Sequence, residues 1–300
     1  MPTLLERLRS GEVLVCDGAM GTLLIARGLP PGSPPESVNL ERPEVLNEIA
    51  QLYLDAGAQI LETNTFGGSP AKLACYGLDG RMEEINRIAV EAVREVAGDR
   101  AWVAACCGPS GRMLKPYGDA EPAELKDGFG RQIRVLVHAG VDAIIIETMT
   151  DLAEAKLLVE AAREAAPGLP VIASMTFDPT PRGFFTIMGN SIEQAAAGLA
   201  QAGADVIGSN CGNGIEQMLA IARAYRAASE RPIVIQSNAG LPSLEEGRPV
   251  YSETPEFMAA RVPELIAAGA QIIGGCCGTT PEHIRAIRRA VDRAREESGR

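Results

Sequence analysis

Short apolar runs and longer amphipathic stretches alternate along the whole chain. The apolar runs are rich in Val, Ile and Ala: VLVCDG near residues 13–18, WVAACCG near 102–108, VIASMTF near 171–177 and PIVIQSN near 232–238. Between them lie segments such as PEVLNEIAQLYLDAG and SIEQAAAGLAQAG, whose apolar residues recur with the period of a helix that buries one face. The strand-like runs have no polar face, which suits parallel strands covered on both sides.

An internal echo counts the units. AGAQILE begins at Ala56, AGVDAIIIE at Ala139, AGADVIGSN at Ala202 and AGAQIIGG at Ala268. Each Ala-Gly closes an amphipathic run and an apolar run follows at once, as when Gly ends a helix. The echoes are separated by 83, 63 and 66 residues. A βα unit takes roughly 30 residues or more, so each interval holds two units and the echo marks alternate strands. Eight strands, each followed by helical sequence, predict an α/β fold with a single (β/α)8 TIM barrel as one domain over residues 1–300. A doubly wound nucleotide-binding sheet fits less well, because no G-x-G-x-x-G or Walker loop follows a strand.

Composition narrows the partners. A net charge of −11 argues against nucleic acid and anionic membrane surfaces. The N-terminal sequence carries charges within its first turns, and no apolar run is long enough to span a bilayer, so a cytoplasmic location is expected. The seven cysteines are an odd number without small-domain spacing. Reduced thiols serving as core residues or ligands are expected rather than a disulfide scaffold.

In such a barrel the chemistry sits at the C-terminal ends of the strands. Those ends read Asp17, Thr63-Asn64-Thr65, Cys106-Cys107, Glu147, Met175-Thr176, Asn210-Cys211, Ser237-Asn238 and Cys276-Cys277. Neither histidine is among them. His138 falls at a helix end and His283 in the first turn of the last helix, where surface or capping roles are expected, so a Ser-His or Cys-His hydrolase is disfavoured. No lysine lies in a strand, although Lys115, in a loop of the active face, keeps a Schiff-base lyase as an alternative. Sulfur remains. Zinc favours thiolates, and a catalytic zinc site uses three protein ligands and an open position. Two vicinal pairs, Cys106-Cys107 and Cys276-Cys277, compete for that role with simple core packing. Residue types alone do not choose between them.

The motifs GSNCGNG, QSNAG and GGCCGTTPEHI, with CDGAMGT, LETNTFGG, CGPSG and IETMTD, resemble the homocysteine S-methyltransferase family. Within it the resemblance is greatest to the homocysteine-binding domain of cobalamin-dependent methionine synthase, from about residue 13 to 290. It implies a barrel carrying Zn2+ on Cys211, Cys276 and Cys277, and leaves Cys106 and Cys107 to packing. It implies homocysteine as acceptor, with Asp17, Gly18, Thr63 and Glu147 as substrate contacts, joined by Asn64 and Asn238. Asp17 and Glu147 would meet the ammonium group, and the turn from Gly18 to Thr22 would offer N–H groups to the carboxylate. No side chain is expected to act as catalytic base, because a metal ion deprotonates a bound thiol. There is no Asp-x-His corrinoid-ligand motif, so the methyl group is expected from a separate methyl-corrinoid protein in trans. A small donor such as S-methylmethionine or betaine is the alternative, and a non-catalytic zinc- and thiol-binding module of a larger complex is the competing class. The segment RGFFTIMGNS departs from the family pattern, and its Phe184, Phe185 and Met188 are expected to pack.

Overall fold

Eight parallel strands form one sheet in the computed structural model, which describes residues 3–30, 32–245, 248–297 and 299. They are β1 (Leu14–Val15), β2 (Ile60–Glu62), β3 (Trp102–Cys107), β4 (Ala143–Met149), β5 (Val171–Met175), β6 (Val206–Asn210), β7 (Ile233–Ser237) and β8 (Ala270–Gly275). Neighbours in sequence are neighbours in the sheet, and β8 returns to pair with β1. A parallel bridge between Cys16 and Ile60 joins β1 to β2. Gln59 N–H donates to Val15 O at 2.8 Å and Asp17 N–H to Ile60 O at 3.1 Å across the same seam. The strands and their surrounding helices thus make the expected (β/α)8 TIM barrel.

The echoed Ala-Gly pairs do what their position predicts. They lie at the C-terminal ends of the helices Glu44–Asp55, Pro122–His138, Ile192–Ala202 and Pro255–Ala267. Gly57, Gly140, Gly203 and Gly269 there have φ of 96°, 96°, 111° and 92°. That left-handed backbone reverses the chain into the next strand, and it disfavours any residue with a Cβ.

Strand alternation sorts the apolar residues into two cores. Ile60, Trp102, Ile172, Val206, Val234 and Ile272 point into the barrel, where Leu4 and Leu8 of the helix Leu4–Arg9 pack against them. Leu61, Val103, Ile144, Ile207, Ile235 and Ile273 point outward under the helices. Toward the C-terminal rim the inward positions turn polar, as Cys16, Glu62, Cys106, Glu147, Ser174, Asn210 and Gln236. An apolar floor beneath a polar top places the chemistry at one end.

Two hairpins extend the rim, Asp178–Thr180 with Gly183–Phe185 after β5 and Ser243–Glu245 with Arg248–Val250 after β7. In the first, Phe184 packs against the outer core and the Arg182 guanidinium lies 5.5 Å over the Phe185 ring. Met188 departs from the packing expectation and is exposed, because it sits on the turn that Gly189 N–H closes onto Thr186 O. No helix among the described residues is long and apolar enough to cross a membrane.

Candidate metal and substrate site

The sulfurs of Cys211, Cys276 and Cys277 lie within 4.8 Å of one another, and those of Cys211 and Cys277 are 3.9 Å apart. Cys276 extends the β8 ladder, its N–H donating to Ser237 O at 2.8 Å. Two residues later Gly278, with φ of 81°, turns the chain. A Cβ on Gly278 would stand 2.1 Å from the Tyr251 ring, so glycine is required twice over. This sharp turn lets both adjacent cysteines face the same point. Cys276, then Cys277, hydrogen-bond to Cys211 and hold its pKa far below that of an ordinary thiol. The same contacts push Cys276 and Cys277 up. One sulfur therefore ionises readily, while full ionisation of all three requires a cation.

Cys211 and Thr148 are the two non-glycine residues with positive φ among the described residues, at 58° and 59°. Such backbone costs on the order of 1–3 kcal/mol per residue and persists only where the surroundings impose it. At Thr148 the Asn210 side chain holds it. Its Oδ1 accepts from Thr148 N–H and from the Ser174 hydroxyl, both at 2.7 Å. Its Nδ2 donates to Thr148 Oγ1 at 2.8 Å and to Glu147 Oε2 at 3.2 Å, and stands 3.9 Å from Cys276 Sγ. One buried amide therefore ties β4, β5 and β6 to the cysteine loop.

Beside the sulfurs lies a cavity of about 300 Å³. Its wall includes Gly18 to Thr22, Glu62, Thr63, Asn64, Cys106, Glu147 and the three cysteines. Asp17, expected to contact substrate, is buried and is not among the residues of that wall, and Asp17 Oδ2 accepts Glu62 N–H at 2.8 Å. Burial raises the pKa of Asp17, Glu62 and Glu147, and for Asp17 and Glu147 the charge of Glu62 adds to the rise. No Lys, Arg or His among the described residues forms an ion pair with any of the three. At Gly18 a Cβ would meet Thr279 Oγ1 at 2.7 Å and Tyr53 Oη at 2.9 Å. Thr279 Oγ1 also accepts Ala19 N–H at 3.1 Å and donates to Cys276 O at 2.7 Å, which locks the β1 turn to the cysteine loop.

Several sequence-predicted residues sit differently from expectation. The Asn64 amide donates to Pro35 O at 2.8 Å and Asn39 Oδ1 at 2.7 Å, so it braces the loop after β1 while the residue lines the cavity. The Asn238 side chain helps hold the Cys211 pKa down, leaves a buried Oδ1 without a partner and is not part of the cavity wall, so Asn238 belongs with the sulfurs. Thr63 Oγ1 is 2.6 Å from Thr65 Oγ1 and accepts Cys106 N–H at 3.3 Å. The vicinal pair Cys106-Cys107 is split by strand alternation. Cys107 packs in the outer core, as expected, whereas Cys106 lines the cavity and donates to Glu147 Oε1 at 3.0 Å. Cys107→Ala is accordingly expected to cost roughly 1–2 kcal/mol or less in an unfolding titration and to leave bound metal unchanged. Loss of metal from that variant would mean that the outer core controls the thiol site. His283 is a buried cap, its Nδ1 accepting Thr280 N–H at 3.1 Å and its Nε2 2.9 Å from Glu253 O. Lys115 is exposed and paired with Glu121, outside the cavity wall.

A sequence profile of the homocysteine S-methyltransferase family matches residues 14–291. The chain belongs to the homocysteine S-methyltransferase family. It is 34% identical to the methionine synthase of Mycobacterium tuberculosis (strain ATCC 25618 / H37Rv) over 301 residues, which is 94% of this chain and 25% of that protein. It is 32% identical to the methionine synthase of Mycobacterium leprae (strain TN) over 312 residues, 98% of this chain and 25% of that protein. The chain thus spans about a quarter of the length of these relatives. Its fold superposes on the metallated form of the homocysteine methyltransferase MmuM from Escherichia coli with a TM-score of 0.80 and 26% identity, covering 95% of this chain and 99% of that one.

Proposed function

We propose that the chain transfers a methyl group to the thiol of homocysteine, giving methionine, at a zinc ion held by Cys211, Cys276 and Cys277. The observation that carries this reading is the convergence of three sulfurs on one edge of a carboxylate-lined cavity. The donor set suits zinc: thiolates bind soft or borderline metals and are poor ligands for magnesium or calcium. Three sulfurs at tetrahedral zinc lie about 3.8 Å apart, close to the 3.9 Å between Cys211 and Cys277. Zinc when bound lowers the pKa of a substrate thiol, so that it is a thiolate at neutral pH. The chain's own residues do the rest. Asp17 and Glu147 take the substrate ammonium, and no side chain caps the helix Met20–Ala26, whose first N–H groups are thereby left for its carboxylate. Asn210 orients Glu147 relative to Cys276.

The cavity is at the small end of the ~300–1,000 Å³ typical of small-molecule sites. The donor in this reading is a methyl-corrinoid protein acting in trans, which the resemblance of the TNTFGG and GPSG segments to the methionine synthase domain supports. Identity is also higher to the methionine synthases than to MmuM. The test is methyl transfer by the zinc-loaded protein from a methyl-corrinoid protein, S-methylmethionine and betaine in parallel. Turnover with a small donor alone would replace the corrinoid reading, and turnover with none would leave a non-catalytic zinc module. X-ray absorption at the zinc edge is expected to gain one sulfur neighbour, from three to four, when homocysteine is added, with release of about one proton. An unchanged sulfur count would sink the acceptor assignment.

A further inference from the structure

Glu62 closes β2 on the inward face of the barrel and lines the cavity, yet neither its residue type nor its motif marked it for a role. Its Oε1 accepts from Gln236 Nε2 at 2.6 Å and from the Cys16 thiol at 3.3 Å. Among the described residues no protein donor reaches its Oε2. Ligand atoms of Cys16, Asp17 and Glu62 lie within 4.8 Å of one another, as do those of Glu62, Cys106 and Glu147. Glu62 is therefore the carboxylate shared by both groups, with Asp17 on one side and Glu147 on the other. Three carboxylates in one desolvated volume, with no cationic side chain to pair them, cannot all ionise unless a cation enters. An independent observation points to the same missing partner. Gln236 is 2% exposed, holds Glu62 through its amide nitrogen, and leaves its own Oε1 buried without a hydrogen bond. The region is rich in acceptors and short of donors. A primary ammonium group brings three N–H donors and one positive charge.

We propose that Glu62 is a specificity-determining residue, which with Asp17 and Glu147 forms a three-carboxylate seat for the ammonium group of an α-amino-acid thiol. The seat makes the enzyme select homocysteine over thiols that lack the amine. The inference rests on the homocysteine reading above, in which Asp17 and Glu147 alone were implied. The Cys16 and Cys106 thiols serve as donors that fix the orientation of Glu62 and Glu147. Gln236 anchors one oxygen of Glu62 and leaves the other for the ligand.

The experiment titrates zinc-loaded wild type and Glu62→Gln calorimetrically with homocysteine and with 4-mercaptobutanoate, the same thiol acid without the amino group. Glu62→Gln is expected to weaken homocysteine about ten- to a hundredfold, the worth of a hydrogen bond to a charged group. Binding of 4-mercaptobutanoate is expected to stay within about twofold, and KM rather than kcat is expected to carry the loss in turnover. Zinc content is the control for folding. If Glu62→Gln loses zinc, Glu62→Asp, which keeps the charge, is expected to restore both zinc and part of the homocysteine affinity. Equal weakening of both ligands, unchanged homocysteine affinity, or no restoration by Glu62→Asp would overturn the proposal. Wild type that binds both ligands equally overturns it while leaving the zinc–thiol reading intact, and wild type that binds neither overturns both.

Discussion

Serine in place of Cys211, Cys276 or Cys277 is expected to abolish stoichiometric zinc binding and to lower methyl transfer to homocysteine about a thousandfold or more. A serine hydroxyl stays protonated at neutral pH and is a poor ligand for a borderline-soft metal, so the site keeps two of its three anchors. Without the metal the substrate thiol returns to a pKa near ~8.5, which leaves roughly 3% thiolate at pH 7. The thiolate also loses its fixed position relative to the donor, and positioning alone supplies several orders of magnitude in well-oriented reactions. The variants should still fold, because the three cysteines sit at the cavity edge and are only half-buried. Metal analysis together with single-turnover methyl transfer checks both halves. Full zinc occupancy in any one of the three variants would remove that residue from the ligand set.

Asn210→Ala is expected to destabilise the protein by about 3 kcal/mol, since each buried polar group left without its partner costs roughly 1–3 kcal/mol. The change strips Thr148 N–H and Thr148 Oγ1 of partners, and removes a donor from Glu147. Thr148 then holds its left-handed backbone without the amide that braces it. For a chain of 300 residues the loss corresponds to a fall of roughly 5 °C in Tm. Homocysteine KM should rise as well, because Glu147 loses a brace, while zinc stays bound to its three cysteines. A thermal midpoint within a degree of wild type would show that Asn210 is not what holds the strained strand ends.

Particular residues show how far sequence reasoning reaches. The Ala-Gly echoes located four helix ends and, through their spacing, the number of strands, because the left-handed turn after a helix is a local demand that glycine meets almost alone. The motif resemblance identified Cys211, Cys276 and Cys277 as a set, and their sulfurs do converge. The strand-end motif marks Asn64 but does not reveal that its amide turns to Pro35 and Asn39. The apolar side chain of Met188 predicts packing, yet a turn lifts it into solvent.

The sequence by itself determined the barrel, the face that carries the chemistry and the family, because these depend on period, spacing and contiguous motifs. Only the tertiary structure decided which face of a strand each reactive group occupies and what it meets there. Cys106 and Cys107 are identical in type and adjacent, yet one lines the cavity and the other packs under a helix, a consequence of strand register. Glu62, Asn210 and Gln236 acquire their roles from partners on other strands, such as Glu62 and Gln236, 174 residues apart in sequence and 2.6 Å apart in space. Electrostatics and hydrogen bonding act over a few ångströms. Barrel closure, and not chain order, sets those distances.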